Sequence, residues 1–108
     1  MPRRSRKIER LPRVSPKELL ILQLLGDHGP QYGLWLVQHS EGLLKRGTVY
    51  VTLGRMEEKG LVESLLEKRD AAVPGLPRRF YRLSHAGVAV LRAAELAQAL
   101  LHQPEMVR

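Results

Sequence analysis

The hydrophobic period of this chain changes at Gly60, and this change limits its possible folds more than any other feature does. Before Gly60 the apolar residues recur at helical spacing. After it, the segments 61–67 and 78–84 are short runs rich in β-branched, aromatic and apolar residues, which is typical of strands. Because proline and glycine interrupt the polar stretch between the runs, we predict a β-hairpin with a loop over 68–77.

A strong helix-start signal precedes the first apolar run. Ser15 can cap a helix, Pro16 suits the first helical position, and Glu18 completes a capping box. The run 19–25 is so densely apolar that we expect this helix to be buried on most sides. It should end within the Gly-Asp-His-Gly-Pro segment, 26–30.

Three further helices are predicted. The second covers about 31–41, and the third begins after the N-cap residue Thr48 and ends before Gly60, a left-handed terminator. One core-facing stripe on the third helix consists of Val49, Leu53 and Met56. Ser84 caps the last helix, about 85–102.

Three helices, a hairpin and a final helix form the order of a winged helix-turn-helix domain. The predicted fold class is therefore mainly α with a small β-hairpin (α+β), and the third helix would enter the major groove. We divide the chain into an arm (1–14), a DNA-binding domain (15–84) and a C-terminal dimerisation helix with its tail (85–108). At 108 residues the chain has room for one modest core.

Most of the positive charge lies in the arm. The net charge of the chain is +7, and residues 1–17 carry +6 of it. Arg3, Arg4 and Arg6 are therefore candidate DNA contacts, because basic arms bind phosphate. The alternative is a solvated tail that contributes only solubility.

Several classes of protein do not fit the sequence. There is no cysteine, the four histidines show no metal-ligand spacing, and neither a nucleophile motif nor a phosphate-binding loop occurs. We expect no enzyme, no metal and no cofactor. No apolar run approaches the roughly 20 residues of a membrane span, so we expect no membrane association and a cytoplasmic protein.

The third helix supplies the candidates for base recognition. With its apolar stripe inward, the side chains that reach base edges are Thr48, Val51, Thr52 and Arg55. Tyr50 falls between the two faces, where it can bind phosphate or serve packing alone. Lys45 and Arg46 precede the helix and are phosphate candidates, or else loop residues that aid solubility.

Four basic residues flank the hairpin loop, namely Lys68, Arg69, Arg78 and Arg79. In a winged helix-turn-helix domain the hairpin is called the wing, and its arginines contact phosphate or a narrow minor groove. The alternative is pairing with the acidic residues of the hairpin, which are Glu63, Glu67 and Asp70.

The last helix has two apolar faces. We assign Val88 and Leu91 to the core of the subunit itself. The opposite arc would contact a second subunit through Val90, Ala93, Ala94, Leu96, Ala97, Leu100 and Leu101. A helix folded back over its own domain is the competing interpretation.

Five segments resemble the PadR-like transcriptional regulators. These segments are 15–18, 29–33, 47–53, 57–63 and 78–84, and the most specific are Gly-Thr-Val-Tyr from 47 and Lys-Gly-Leu-Val from 59. The resemblance implies a dimeric winged-helix regulator, often a repressor, with a C-terminal dimerisation helix. This chain departs from the pattern at Val51, where proline is usual, and at Trp35, where a polar or acidic residue is usual.

Trp35 is open to three interpretations: a core anchor, a dimer contact or one wall of an effector pocket. The resemblance implies that some small members of the family bind aromatic compounds between subunits. Because the last helix carries no aromatic residue, an aromatic sandwich on that helix pair is not expected. Trp35 is the first candidate for a possible small-molecule effector.

The predicted function is a sequence-specific regulator, a repressor that binds an inverted-repeat operator in double-stranded DNA as a homodimer. Two alternatives stay open: a winged helix used for protein–protein contact, and a nonspecific nucleic-acid binder that depends on the arm.

Overall fold

The computed structural model describes residues 12–72 and 74–102. Within these residues, four helices accompany a three-stranded antiparallel sheet whose strand order is β1-β3-β2. The elements are α1 (Pro16–His28), β1 (Gln31–Tyr32), α2 (Gly33–Gln38), α3 (Val49–Glu58), β2 (Val62–Leu66), β3 (Arg79–Leu83) and α4 (His85–Leu101). The predicted order of three helices, a hairpin and a final helix is confirmed, and the sheet has one additional strand.

The predicted capping box at the start of α1 is present. The backbone N–H of Glu18 donates to Ser15 Oγ at 3.2 Å, and the backbone N–H of Ser15 donates to Glu18 Oε1 at 2.9 Å. The helix ends at His28, inside the predicted segment, and Gly29 follows with a φ of 79°. Its buried apolar side chains, Ile21, Leu22 and Leu25, form one wall of the core.

The prediction of a second helix over 31–41 is wrong at both ends. Gln31 and Tyr32 are extended and pair with β3, opposite Tyr81 and Phe80. The ring of Tyr32 meets that of Phe80 edge-on at 5.5 Å, and this contact favours the strand over a further helical turn.

Ser40 ends α2 early. Its hydroxyl donates to the carbonyl of Val37 at 2.8 Å and accepts from the backbone N–H of Leu44 at 2.9 Å. Glu41 then adopts a φ of 55°, which is incompatible with a continuing helix. The turn between α2 and α3 is thus held by one buried serine.

The helix α3 and the hairpin agree with prediction. Val49, Leu53 and Met56 are buried against α1 and α2, and Gly60 follows α3 with a φ of 77°. In the hairpin, β2 and β3 pair from Val62 opposite Leu83 to Leu66 opposite Arg79.

The last helix packs closely on the core at its first turns. Ser84 Oγ caps it by accepting from the N–H of Gly87 at 2.9 Å. A β-carbon at Gly87 would collide with the carbonyl oxygen of Leu61, so this approach requires glycine. Leu91 is buried as predicted, but Val90 is only 5 % exposed. The expectation that Val90 faces a partner is corrected, because its side chain fills the core of its own subunit.

Candidate nucleic-acid interface

One face of α3 projects away from the core and forms the centre of the candidate interface. Tyr50 and Val51 are 52 % and 55 % exposed, whereas Val49 and Leu53 on the inner face of the same helix are buried. Arg55 is exposed on the same side, and Thr52 is half-buried, with its hydroxyl donating to the carbonyl of Thr48 at 3.3 Å. An apolar and cationic surface of this kind can contact thymine methyl groups and guanine edges.

Tyr50 takes part in packing and is also exposed. A β-carbon placed on Gly33 would lie 2.5–2.6 Å from ring atoms of Tyr50. The phenol therefore covers the first residue of α2, and its far side faces solvent. The two alternatives for Tyr50, packing and an outward polar contact, are compatible in this position.

The residues before α3 lead into its N-terminus. Lys45 and Arg46 are both exposed, and the carbonyl of Lys45 accepts from the N–H of Thr48 and the N–H of Val49. Thr48 is the N-cap residue, but its side chain makes no capping hydrogen bond. Thr48 therefore occupies the predicted N-cap position, but its hydroxyl does not cap the helix.

The basic residues of the wing have different surroundings. Arg69 donates from Nε to Glu67 Oε1 at 3.1 Å and from Nη1 to the carbonyl of Pro74 at 2.8 Å, so it closes the loop. Arg78 lies over the ring of Tyr32, 4.5 Å from its centroid. Lys68 is exposed.

Glu67 organises the base of the wing. The backbone N–H of Arg78 donates to its carboxylate at 3.0 Å, and this bond, followed by the interactions with Arg69, holds the pKa of Glu67 below its ordinary value against the effect of desolvation. The alternative of pairing within the hairpin thus describes Arg69. Arg82, which was not among the four candidates, also pairs within the hairpin and donates to Glu63 at 3.1 Å.

Sequence reasoning missed a hydrogen-bonded chain from the wing to α3. Arg79 Nη1 donates to Ser64 Oγ at 3.2 Å, and Ser64 Oγ donates to Glu57 Oε2 at 2.8 Å. Tyr81 lies beside this chain: burial raises the pKa of its phenol, and the nearby charge of Glu57 raises it further. No local signal marks these residues, because their contact depends on how the sheet packs on α3.

The arm residues Arg3, Arg4 and Arg6 lie outside the described residues. The nearest described contact is at Arg13, whose carbonyl accepts a hydrogen bond from Lys59 Nζ at 2.8 Å. The chain therefore enters α1 close to the C-terminal end of α3.

The outer face of α4 is apolar and exposed. Leu96, Leu100 and Leu101 are 61 %, 62 % and 81 % exposed. Exposed alanines accompany them at 89, 93 and 97, and Ala94 is half-buried. A row of leucines and alanines in contact with water is unusual for a helix of a monomer.

Trp35 belongs to an aromatic cluster on α2. Its indole stacks on the imidazole of His39, with ring centroids 3.8 Å apart, and His28 approaches edge-on at 5.0 Å. Two cavities of about 420 and 320 Å³ lie at the base of the wing and beside α4, and other residues line both of them. A role of Trp35 toward an effector stays a prediction.

Within residues 12–72 and 74–102, no group of three or more His, Asp or Glu side chains is placed to hold a metal ion. No helix in this part of the chain is long and apolar enough to cross a membrane.

Comparison with known proteins agrees with this geometry. The profile of the family described as "Transcriptional regulator PadR-like family" matches residues 21–93. No match was found among curated proteins.

Solved structures provide similar chains. A PadR family transcription regulator from Clostridium difficile R20291 is 26 % identical, with a TM-score of 0.68 over 81 % of this chain and 91 % of that one. A PadR family transcriptional regulator from Eggerthella lenta is 30 % identical, with a TM-score of 0.62 over 78 % and 72 % of the two chains.

The reduced form of the transcriptional regulator YodB from B. subtilis has the same fold at 19 % identity and a TM-score of 0.68, covering 82 % of this chain and 80 % of that chain. The predicted winged-helix class is thereby confirmed. Since the family profile covers all of α2, α3 and the wing, the chain belongs to the PadR-like family of transcriptional regulators.

Proposed function

We propose that this chain binds an inverted-repeat operator as a homodimer and represses transcription. The observation that carries the proposal is the combination of an exposed face on α3 with an exposed apolar row on α4. The first suits a major groove, and the second suits an identical helix of another subunit. Two-fold symmetry would place half-sites about one helical turn, or a multiple of it, apart.

Contacts at the interface divide into two kinds. Thr48, Val51, Thr52 and Arg55 would reach base edges and determine sequence preference. Phosphate contacts would come from the arm residues Arg3, Arg4 and Arg6, from the flanking residues Lys45, Arg46 and Tyr50, and from the wing residues Lys68, Arg69, Arg78 and Arg79. The four wing residues differ in their surroundings, because Arg69 pairs with Glu67 inside the hairpin and Arg78 lies against Tyr32 of β1.

The proposed dimer uses Ala93, Ala94, Leu96, Ala97, Leu100 and Leu101. Because alanines let two helices approach closely, the leucines of each subunit can interdigitate with those of the other. Val90 is left out, since its side chain is buried in its own subunit. If the regulator responds to a small molecule, Trp35 with its histidine neighbours is the first residue to examine.

Selection of bound sites from random DNA, followed by DNase footprinting, tests the proposal. A symmetric consensus and a sharp footprint are expected. Equal displacement by competitor DNA of any sequence would favour the nonspecific binder, and no DNA retained at all would favour a protein–protein module. A footprint that overlaps a promoter, with reduced transcript in a purified system, would support repression.

The arm is tested separately. Deleting residues 1–12 should weaken binding to every DNA sequence and flatten the dependence of affinity on salt. An unchanged slope in the salt titration would show that the arm contributes no phosphate contact.

A further inference from the structure

The three arginines that flank the wing loop, Arg69, Arg78 and Arg79, are held in different ways, and of these three only Arg79 is linked to α3. Arg69 is used within the loop, where Glu67 and the carbonyl of Pro74 take its Nε and Nη1. Arg78 places its guanidinium against the ring of Tyr32 in β1. The first arrangement stabilises the hairpin loop, the second joins β3 to β1, and both direct the guanidinium groups toward the protein.

Arg79 lies on the face of the sheet that packs toward α3. Ser64 pairs with Tyr81 and Leu66 pairs with Arg79, so these four side chains share one face of the antiparallel ladder. Arg79 Nη1 donates a hydrogen bond to Ser64 Oγ at 3.2 Å, and the same hydroxyl donates a hydrogen bond to Glu57 Oε2 at 2.8 Å.

The hydroxyl of Ser64 lies between Arg79 and Glu57, in place of a direct ion pair. A direct ion pair between Arg79 and Glu57 would occupy the guanidinium and cancel its charge toward DNA. A single bond to a neutral hydroxyl fixes the direction of the side chain and leaves its other N–H donors available. A side chain that is already oriented loses less entropy on binding.

We infer that Ser64 and Glu57 are positioning residues that hold Arg79 beside α3, so that Arg79 contacts DNA next to the site that α3 occupies. This inference rests on the proposed function. The expected ligand is a phosphate or a base edge adjacent to the major-groove site that α3 occupies.

The test uses the full-length protein and an operator selected from random DNA. Affinity and its salt dependence are measured for Arg79→Ala. Arg82→Ala is the matched control, because Arg82 lies on the opposite face of β3, pairs with Glu63 and is not a proposed DNA contact. Arg79→Ala should lower affinity about tenfold and reduce the salt slope by about one phosphate contact. Arg82→Ala should lower affinity less than about threefold, and thermal unfolding identifies any variant whose fold has been damaged.

Ser64 is tested in a double-mutant cycle, because Ser64→Ala removes no charge. It should weaken binding about threefold in the parent and have no effect in an Arg79→Ala background. Ser64→Thr, which keeps the hydroxyl, should restore binding. An equal loss in both backgrounds would overturn the positioning role.

Arg55→Ala distinguishes a failure of the inference about Arg79 from a failure of the proposed function. If Arg55→Ala weakens operator binding and Arg79→Ala does not, α3 still reads DNA and the inference about Arg79 is wrong. If the parent protein selects no DNA sequence, the proposed function itself fails.

Discussion

Lys59, the C-cap residue of α3, donates a hydrogen bond from Nζ to Glu18 Oε1 in α1 at 2.8 Å. The carboxylate is 4 % exposed, and it also accepts the backbone N–H of Ser15 in the capping box. The same ammonium group binds the carbonyl of Arg13. One buried carboxylate therefore fixes the start of α1 to the end of the candidate recognition helix.

Replacing Glu18 by alanine is expected to lower the free energy of unfolding by about 2 kcal/mol, because a cap, a hydrogen bond and a charge partner are lost together. Urea unfolding of the purified protein measures the change. Glu58→Ala, an exposed carboxylate on α3, is the control and should change stability by less than about 0.5 kcal/mol. Equal costs for the two variants would contradict the structural role of Glu18.

The pH dependence of stability provides a second test. Burial alone would raise the pKa of Glu18, but the hydrogen bond from Lys59, assisted by those from Ser15, brings the pKa below its ordinary value of 4.5. A carboxyl with a lowered pKa in the folded state stabilises the protein above the unfolded pKa, and this contribution is lost as pH falls through the folded value.

The stability difference between the parent and Glu18→Gln should therefore be constant near neutral pH and shrink below about pH 4.5. Urea titrations at a series of pH values measure it. A difference that stays constant down to pH 3 would show that the charge of Glu18 contributes nothing.

Features that depend on neighbouring residues could be predicted from the sequence. The Ser15–Glu18 box, the stripe of Val49, Leu53 and Met56, and the Ser84 cap all act within one or two helical turns. The ion pair of Lys59 with Glu18 spans 41 positions and has no local signal. Strand β1 was missed for a similar reason, since its two residues are extended only because β3 lies alongside.

In the candidate interface, too, features set by residues close in sequence were predictable and contacts between distant residues were not. Helical periodicity placed the exposed face of α3 correctly, but it could not show which wing arginine has a partner within the hairpin. Val90 was assigned wrongly because helical periodicity gives the direction of a side chain around the helix axis and not its position along the axis. The first turns of α4 lie in the core, and the last turns extend beyond it.

Close packing between α2 and α3 yields a third prediction. Gly33→Ala should lower the free energy of unfolding by about 1–3 kcal/mol, because the new methyl group would overlap the ring of Tyr50. In a Tyr50→Ala background the same substitution should cost almost nothing. Urea unfolding of the single and double variants gives the coupling energy. Equal costs in both backgrounds would show that the ring does not cause the effect.

The apolar row on α4 yields a fourth prediction. Leu100→Glu should convert the protein to a monomer, because it would place a charge without a partner in the helix–helix contact. The subunit fold should persist, since Leu100 is exposed in the single chain. Light scattering at micromolar concentration measures the mass. Gln98→Glu introduces the same charge at an exposed polar position of α4 and should leave the dimer intact. A monomeric parent protein would contradict the proposed assembly outright.

Arg55 provides the sharpest test of sequence recognition. It is exposed on α3, and a guanidinium there can form two hydrogen bonds with guanine O6 and N7. Arg55→Ala should weaken binding to the selected operator by about 1–3 kcal/mol and relax the preference at one base pair. Arg92→Ala is the matched control. This arginine is not a proposed DNA contact, and it lines a cavity beside α4 with Asp27 and Glu95.

Fluorescence anisotropy with a panel of single-base operator variants separates the two effects of Arg55→Ala. A phosphate contact would weaken binding to every variant by the same factor, whereas a base contact would reduce discrimination at one position and preserve it at the others. Identical relative affinities of mutant and parent across the panel would therefore assign Arg55 to the backbone, and base reading would then have to rest on Thr48, Val51 and Thr52.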